Sequence, residues 1–128
     1  MTVQTIRKRA DFLAANSGLR IAKPGFVLLA RPNDAAAMRF GITVTKKIGN
    51  AVVRNRMKRR FRELLRAALP QAGLAGHDHV LIGREGGIER DFAALRVELD
   101  DALARAAAGR SDPRRGRGQG KRRDGKRA

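Results

Sequence analysis

Between Lys46 and Arg62 the chain reads KKIGNAVVRNRMKRRFR: eight Lys or Arg, no acid, and apolar residues that return at helical spacing. Charge this dense repels itself, so the segment folds only if an apolar stripe anchors it to a core while the cations stay on the outer face. At about 100° per residue, Val53, Met57, Phe61, Leu64 and Ala68 share one arc. Asn55, Arg59, Arg62 and Arg66 share the opposite arc, with Lys58 beside them. Gly49 and Asn50 mark the start, and Pro70 is the expected stop, giving a helix from about Ala51 to Leu69.

The rest of the chain must supply the core that this stripe meets. Its 128 residues suffice for one small domain. A net charge of +17 favours a polyanionic partner that releases counterions on binding, and nucleic acid is a better match than a membrane. No apolar run reaches membrane-spanning length, and the N-terminal MTVQTIRKRADFLAANSG has no apolar core of a signal peptide, so a cytoplasmic location is expected. The absence of cysteine excludes disulfides, thiolate metal sites and Cys nucleophiles. His77 and His79 flank Asp78 without a third ligand at sensible spacing, so they read as surface residues and no metal site is expected.

Charge is unevenly placed. It is +5 over residues 1–31, zero over 32–45, +8 over 46–62, −3 over 63–109 and +7 over 110–128. Such polarity describes a directed surface. From Gly109 the sequence GRSDPRRGRGQGKRRDGKRA offers no large apolar residue, so the expected division is a folded domain over 1–108 and a disordered basic tail over 109–128. The tail is either an electrostatic arm or a dispensable extension.

Residues Lys8 to Ser17 predict a short helix with Phe12 and Ala15 on one side. Phe26–Arg31 and Arg39–Thr45 predict two strands, and the turn residues Pro32, Asn33 and Asp34 between them suggest a hairpin. On the second, Phe40, Ile42 and Val44 alternate with Gly41, Thr43 and Thr45. His79–Gly83 predicts a third strand and Asp91–Ala107 a last helix, with Phe92, Leu95, Leu99 and Leu103 at helical spacing and Asp91, Glu98, Asp100 and Asp101 on a solvated face. The resulting order, α-β-β-α-β-α, describes an α+β protein: a small sheet packed by helices in an α/β two-layer sandwich.

Several residues qualify as sites. Arg54, Asn55 and Arg56 place cations on the first helical turn, against the macrodipole, which favours a contact over a merely wet surface. Arg59, Arg62 and Arg66 on one helix face read as a phosphate ladder or a wet face, with contact favoured by the charge around them. Lys46 and Lys47, after the small polar face of the second strand, read as a contact or a solvated strand end. Thr43 and Thr45 offer hydroxyls to a nucleic-acid backbone. Phe12 is open to two readings, stacking platform or core, and so are Val27 and Leu29, cleft or sheet packing. No Walker loop, nucleophile elbow or paired-carboxylate constellation is present, so the polypeptide alone is expected to be catalytically inert.

IGNAVVRNRMKRRFR, preceded by TKK at 45–47, resembles the signature of the bacterial ribonuclease P protein component. ADF at 10–12, GFVLLARP at 25–32, RFGITVTKK at 39–47 and DHVLIGR at 78–84 follow in that family's order, so the resemblance spans about residues 6–107. It implies a subunit that binds a catalytic RNA through Lys46, Lys47, Arg54, Asn55, Arg56, Lys58, Arg59, Arg62 and Arg66. It also implies a cleft, with Phe12, Val27, Leu29, Thr43 and Thr45 as its residues, for the 5′ leader of precursor tRNA. The RNA would perform the magnesium-dependent cleavage, with Mg2+ bound mainly by RNA, in a one-to-one complex with monomeric protein. The resemblance further implies a left-handed crossover between parallel strands, against the general rule. Asn16 and Leu29 stand where the family often has Phe and Tyr, leaving Phe12 as the remaining ring of that wall, and Phe61 replaces a smaller aliphatic residue. The rival expectation is a ribosomal RNA-binding protein or ribosome assembly factor; a DNA architectural protein ranks last.

Overall fold

Alternation in GFVLLARP gives a strand two apolar faces, and each is covered by a different part of the chain. The structure, a computed structural model, describes residues 3–33 and 37–112. Its elements are β1 (Val3–Thr5), α1 (Arg9–Ala14), β2 (Leu19–Ala22), β3 (Phe26–Pro32), β4 (Met38–Thr43), α2 (Ala51–Ala72), β5 (His77–Gly83) and α3 (Phe92–Ala107), with 3-10 turns at Ala15–Ser17, Lys46–Ile48 and Glu85–Gly87. The strands form one mixed sheet in the order β1-β4-β5-β3-β2.

The α+β class holds, but the topology corrects two expectations. The strands β3 and β4 do not form a hairpin: β5 lies between them, antiparallel to β3 and parallel to β4. A turn signal between two strands says where the chain bends, whereas pairing goes to the strand that both neighbours can bury. That strand is β5, whose Val80 and Leu81 are buried and whose Asp78 and His79 are buried with their hydrogen bonds satisfied. The order α-β-β-α-β-α also lacks two edge strands, β1 parallel to β4 and β2 antiparallel to β3. The parallel neighbours β4 and β5 are joined through α2.

One sheet face carries Phe26, Leu28, Phe40 and Leu81 against Met57, Phe61, Leu64 and Leu65 of α2 and Leu95, Leu99 and Leu103 of α3. Phe61 is fully buried, its ring edge-on to Phe26 at 6.1 Å, which matches the packing role read from its position. The opposite face carries Val27, Leu29 and Val80 under Ala15, with Phe12 and Ile82 packed against them. Helix α1 is too short to persist alone; this contact with the sheet holds it.

Helix α2 does not stop at Leu69. Pro70 lies inside it, and the cap comes at Gly73, whose N–H donates to the Leu69 carbonyl at 2.8 Å. The carbonyl that Pro70 cannot bond belongs to Arg66, which is exposed and open to solvent. Phe92 is 39% exposed and does not join the α3 core stripe, because it is the first residue of the helix, beyond the edge of the sheet. Of the residues expected in the unstructured tail, Gly109 and Arg110 bond back to the end of α3, and Ser111 and Asp112 lie along β2. Asp112 N–H donates to the Arg20 carbonyl (2.6 Å), Ala22 N–H to Asp112 Oδ2 (2.7 Å) and Arg20 N–H to Ser111 Oγ (3.0 Å). The rest of the expected disordered tail, 113–128, falls outside the described residues.

Candidate nucleic-acid interface

Gly49, with φ at 156°, turns the chain out of the Lys46–Ile48 turn. Asn50 then caps α2, its Oδ1 accepting from Val53 N–H at 3.0 Å. With the apolar stripe fixed on the sheet, Asn55, Arg56, Arg59, Arg62 and Arg66 stand exposed on the far side, with Lys46 and Lys47 exposed just before them. Arg54 is half-buried, its Nε donating to the Gly49 carbonyl at 3.2 Å. Arg60 of the same run turns inward and donates to the carbonyls of Gly87 (3.3 Å), Ile88 (3.3 Å) and Arg90. It ties α2 to the segment before α3.

Five cations outside this run have acidic partners: Lys23, Arg39, Arg90, Arg96 and Arg105. Arg90 Nε bonds both carboxylate oxygens of Glu98 at 2.9 and 3.0 Å, Arg96 pairs with Asp100 at 3.3 Å, and Arg105 meets Asp101 and Asp112 at 3.6 and 3.7 Å. Lys23 bonds Asp101, and that hydrogen bond and charge hold the Asp101 carboxyl below its ordinary range. The α3 acids are therefore paired or, as with Asp91 capping Ala94 N–H at 3.3 Å, capping; they are not a bare solvated face. By contrast, among the described residues Lys46, Lys47, Arg54, Arg56, Lys58, Arg59, Arg62 and Arg66 have no carboxylate partner. Such a surface attracts phosphate.

Beside it lies a cleft of about 560 Å³ between α1 and the sheet. Phe12, Leu29 and Thr43 line it, as the sequence suggests. Val27 sits under the α1 cover without reaching the lining, and Thr45 is exposed past the end of β4. Sequence reasoning missed Arg7, Arg9, Val80 and Ile82, and it left Asn16 in doubt, yet all five line the cleft. Val80 and Ile82 follow from the central place of β5, and the basic arm IRKR was the available signal for the two arginines. Lys58 reaches the cleft from α2, so a single cation belongs to both groove and basic face. A smaller hollow of about 250 Å³ adjoins, shared through Phe12, Ile42 and Lys58 and edged by Arg62.

Two polar groups expected at the surface are buried. His79 is fully buried: its Nδ1–H donates to the Arg39 carbonyl (3.0 Å) and its Nε2 accepts from Leu74 N–H (3.0 Å). Burial pushes its pKa below the ordinary value, so the ring is held neutral. Asp78, 3% exposed, takes Arg39 Nε and Nη2 at 2.7 and 2.8 Å and Asn33 Nδ2 at 2.8 Å. Arg39 also reaches Asp11 of α1 at 3.5 Å, which ties the wall of the cleft to the sheet.

Fold and surface together define a class: a small α+β module with a strand-wide groove opening onto a cationic helix, built to hold a polyanion. The family model described as Ribonuclease P matches residues 2–107. The ribonuclease P protein component of Erythrobacter litoralis is 76% identical over 112 residues, covering 88% of this chain and 93% of that protein. That of Gluconacetobacter diazotrophicus is 48% identical, covering 79% and 89%. Among solved structures, the Thermotoga maritima RNase P protein is 34% identical with a TM-score of 0.69, covering 79% of this chain and 96% of that one. The Staphylococcus aureus RNase P protein is 31% identical with a TM-score of 0.68, covering 80% and 94%. The chain belongs to the ribonuclease P protein family, whose members are the protein subunit of the ribonucleoprotein that processes tRNA 5′ ends. The ribosomal alternative is not favoured.

Proposed function

We propose that the exposed face of α2 grips the catalytic RNA while the cleft beneath α1 holds the single-stranded 5′ leader of precursor tRNA. The observation that carries this reading is the run of eight cations without carboxylate partners, joined to the cleft by Lys58. Arg54, Asn55, Arg56, Arg59, Arg62 and Arg66, with Lys46 and Lys47, supply sequence-independent phosphate contacts. Phe12 and Leu29 give apolar contact to bases, while Thr43 and Asn16 present hydrogen-bonding groups and Arg7, Arg9 and Lys58 neutralise the leader backbone.

Cleavage of the phosphodiester is assigned to the RNA partner. Magnesium would supply Lewis-acid chemistry at the phosphodiester, held by the RNA. The cleft lining offers one amide, one hydroxyl and three cations but no carboxylate, and no group of three or more His, Asp or Glu able to hold a metal occurs among the described residues. That donor set does not fit Mg2+, so the metal is assigned to RNA and the protein lowers the amount required by neutralising phosphate. One protein monomer serves one RNA, in the cytoplasm; no helix among the described residues is long and apolar enough to cross a membrane.

The test mixes the protein with its cognate catalytic RNA at limiting magnesium and measures cleavage of precursor tRNA with long and truncated leaders. Greater stimulation for the long leader is expected. Equal stimulation removes the leader cleft from the reading, and processing by the polypeptide alone overturns the division of labour.

A further inference from the structure

Phe12 forms the partition between the cleft and the smaller hollow, since it lines both. The Cε1–Cζ side of its ring packs against β4 at Gly41. A Cβ built on Gly41 would lie 2.5 Å from Phe12 Cζ and inside contact distance of Cε1, with Cδ1 at 3.3 Å. Real Cβ atoms do not approach carbon so closely. Gly41 does not have positive φ, so the backbone itself would accept any residue there. What requires glycine is the ring.

We propose that Gly41 is a positioning residue that sets the width of the substrate groove by letting the Phe12 ring sink to backbone level. The proposal rests on the leader-cleft reading above. With any side chain at 41, the ring must swing into the cleft or carry α1 outward. Helix α1 resists the second course, because Asp11 is tied to Arg39 and Ala15 is fully buried against the sheet. A methyl group at 41 therefore narrows the groove from its floor while the α2 face, on the other side of Lys58, keeps its cations in place. Gly41 touches no substrate; it acts through Phe12.

The chemistry of the clash supplies its own control. The conflict is with Cε1 and Cζ, atoms that leucine lacks, so Phe12→Leu removes the obstruction and keeps an apolar wall. The experiment uses the reconstituted holoenzyme and measures affinity for precursor with a long leader and with a leader trimmed to one nucleotide, for wild type, Gly41→Ala, Phe12→Leu and the double variant. Gly41→Ala should lower the long-to-short affinity ratio by about tenfold, the scale of one lost stacking contact, with affinity for the catalytic RNA unchanged. Phe12→Leu, which deletes the stacking ring, should lower the ratio by at least as much, and adding Gly41→Ala to it should lower the ratio no further. A ratio indifferent to Gly41→Ala, or an equal drop in both backgrounds, overturns the proposal. If Gly41→Ala alone does not fold, the double variant must fold and keep the ratio of Phe12→Leu; an unfolded double variant overturns it too. A wild-type ratio of one instead defeats the leader reading itself.

Discussion

Two arginines four residues apart, Arg56 and Arg60, show how position on a helix decides employment: the first is exposed without an acidic partner, the second is bound to three backbone carbonyls. Charge density in the sequence could not separate them, because both belong to one basic run and the carbonyls that hold Arg60 come from a loop some thirty residues on. His79 was misread for a related reason. Two polar neighbours suggest the surface, and the buried acceptor and donor that satisfy the ring are contributed by β4 and by Leu74 just after α2. Its depressed pKa gives a pH dependence with a definite sign. The native state favours the neutral ring, so its contribution is whole above about pH 6.5, the unfolded value, and is lost as pH falls from there through the lower native value. Urea denaturation from pH 7.5 to 5 should show stability falling on the acid side. His79→Gln, which can donate to one partner and accept from the other, should flatten that fall. His79→Leu should cost about 1–3 kcal/mol for each polar group left unpaired.

Pro70 within α2 is a feature that natural helices carry at a cost. Replacing it with alanine restores the N–H that the Arg66 carbonyl lacks and relieves the ring, partly offset by a freer unfolded chain. Pro70→Ala should therefore stabilise the protein by about 1–2 kcal/mol in urea denaturation, leaving RNA affinity unchanged. A loss of stability would mean that the last turn of α2 is not helical. At this scale the sequence showed the long helices well: the 3.6-residue stripe of α2 matches its buried face from Met57 through Ala68, with Val53 partly buried. It showed the sheet poorly. The strands β1 and β2 have three and four residues, VQT and LRIA, too short for alternation to register. The insertion of β5 between β3 and β4 is a long-range choice that local turn chemistry does not encode. The cleft was half legible for the same reason: Phe12, Leu29 and Thr43 come from segments with their own pattern, whereas Val80 and Ile82 enter only through that pairing.

Across the whole molecule, cations without carboxylate partners concentrate on α2 and most acids lie in the C-terminal third. The C-terminal third neutralises itself through its own pairs, so the field that an approaching polyanion meets comes from α2 and the N-terminal arm. Electrostatic attraction of this kind is read by salt. Replacing Arg56 and Arg59 by alanine should reduce the log–log salt slope of RNA binding by about 0.7 to 0.9 per phosphate contact removed. Arg60→Ala should leave the slope alone and lower the denaturation midpoint instead. A slope insensitive to Arg56 and Arg59 would remove α2 from the RNA contact. Self-repulsion of the same cations also predicts that sulfate raises the midpoint of the free protein, by stabilising the native state through binding.

The Ser111–Asp112 contact with β2 bears on how the molecule behaves among its own copies. Open sheet margins are where proteins zip into one another, and here the amides of Arg20 and Ala22 are already occupied by a hydroxyl and a carboxylate from the same chain. Seen by a neighbour, that border is closed: a second sheet arriving there finds its hydrogen-bonding positions taken. On the β2 side the chain thus carries its own hem.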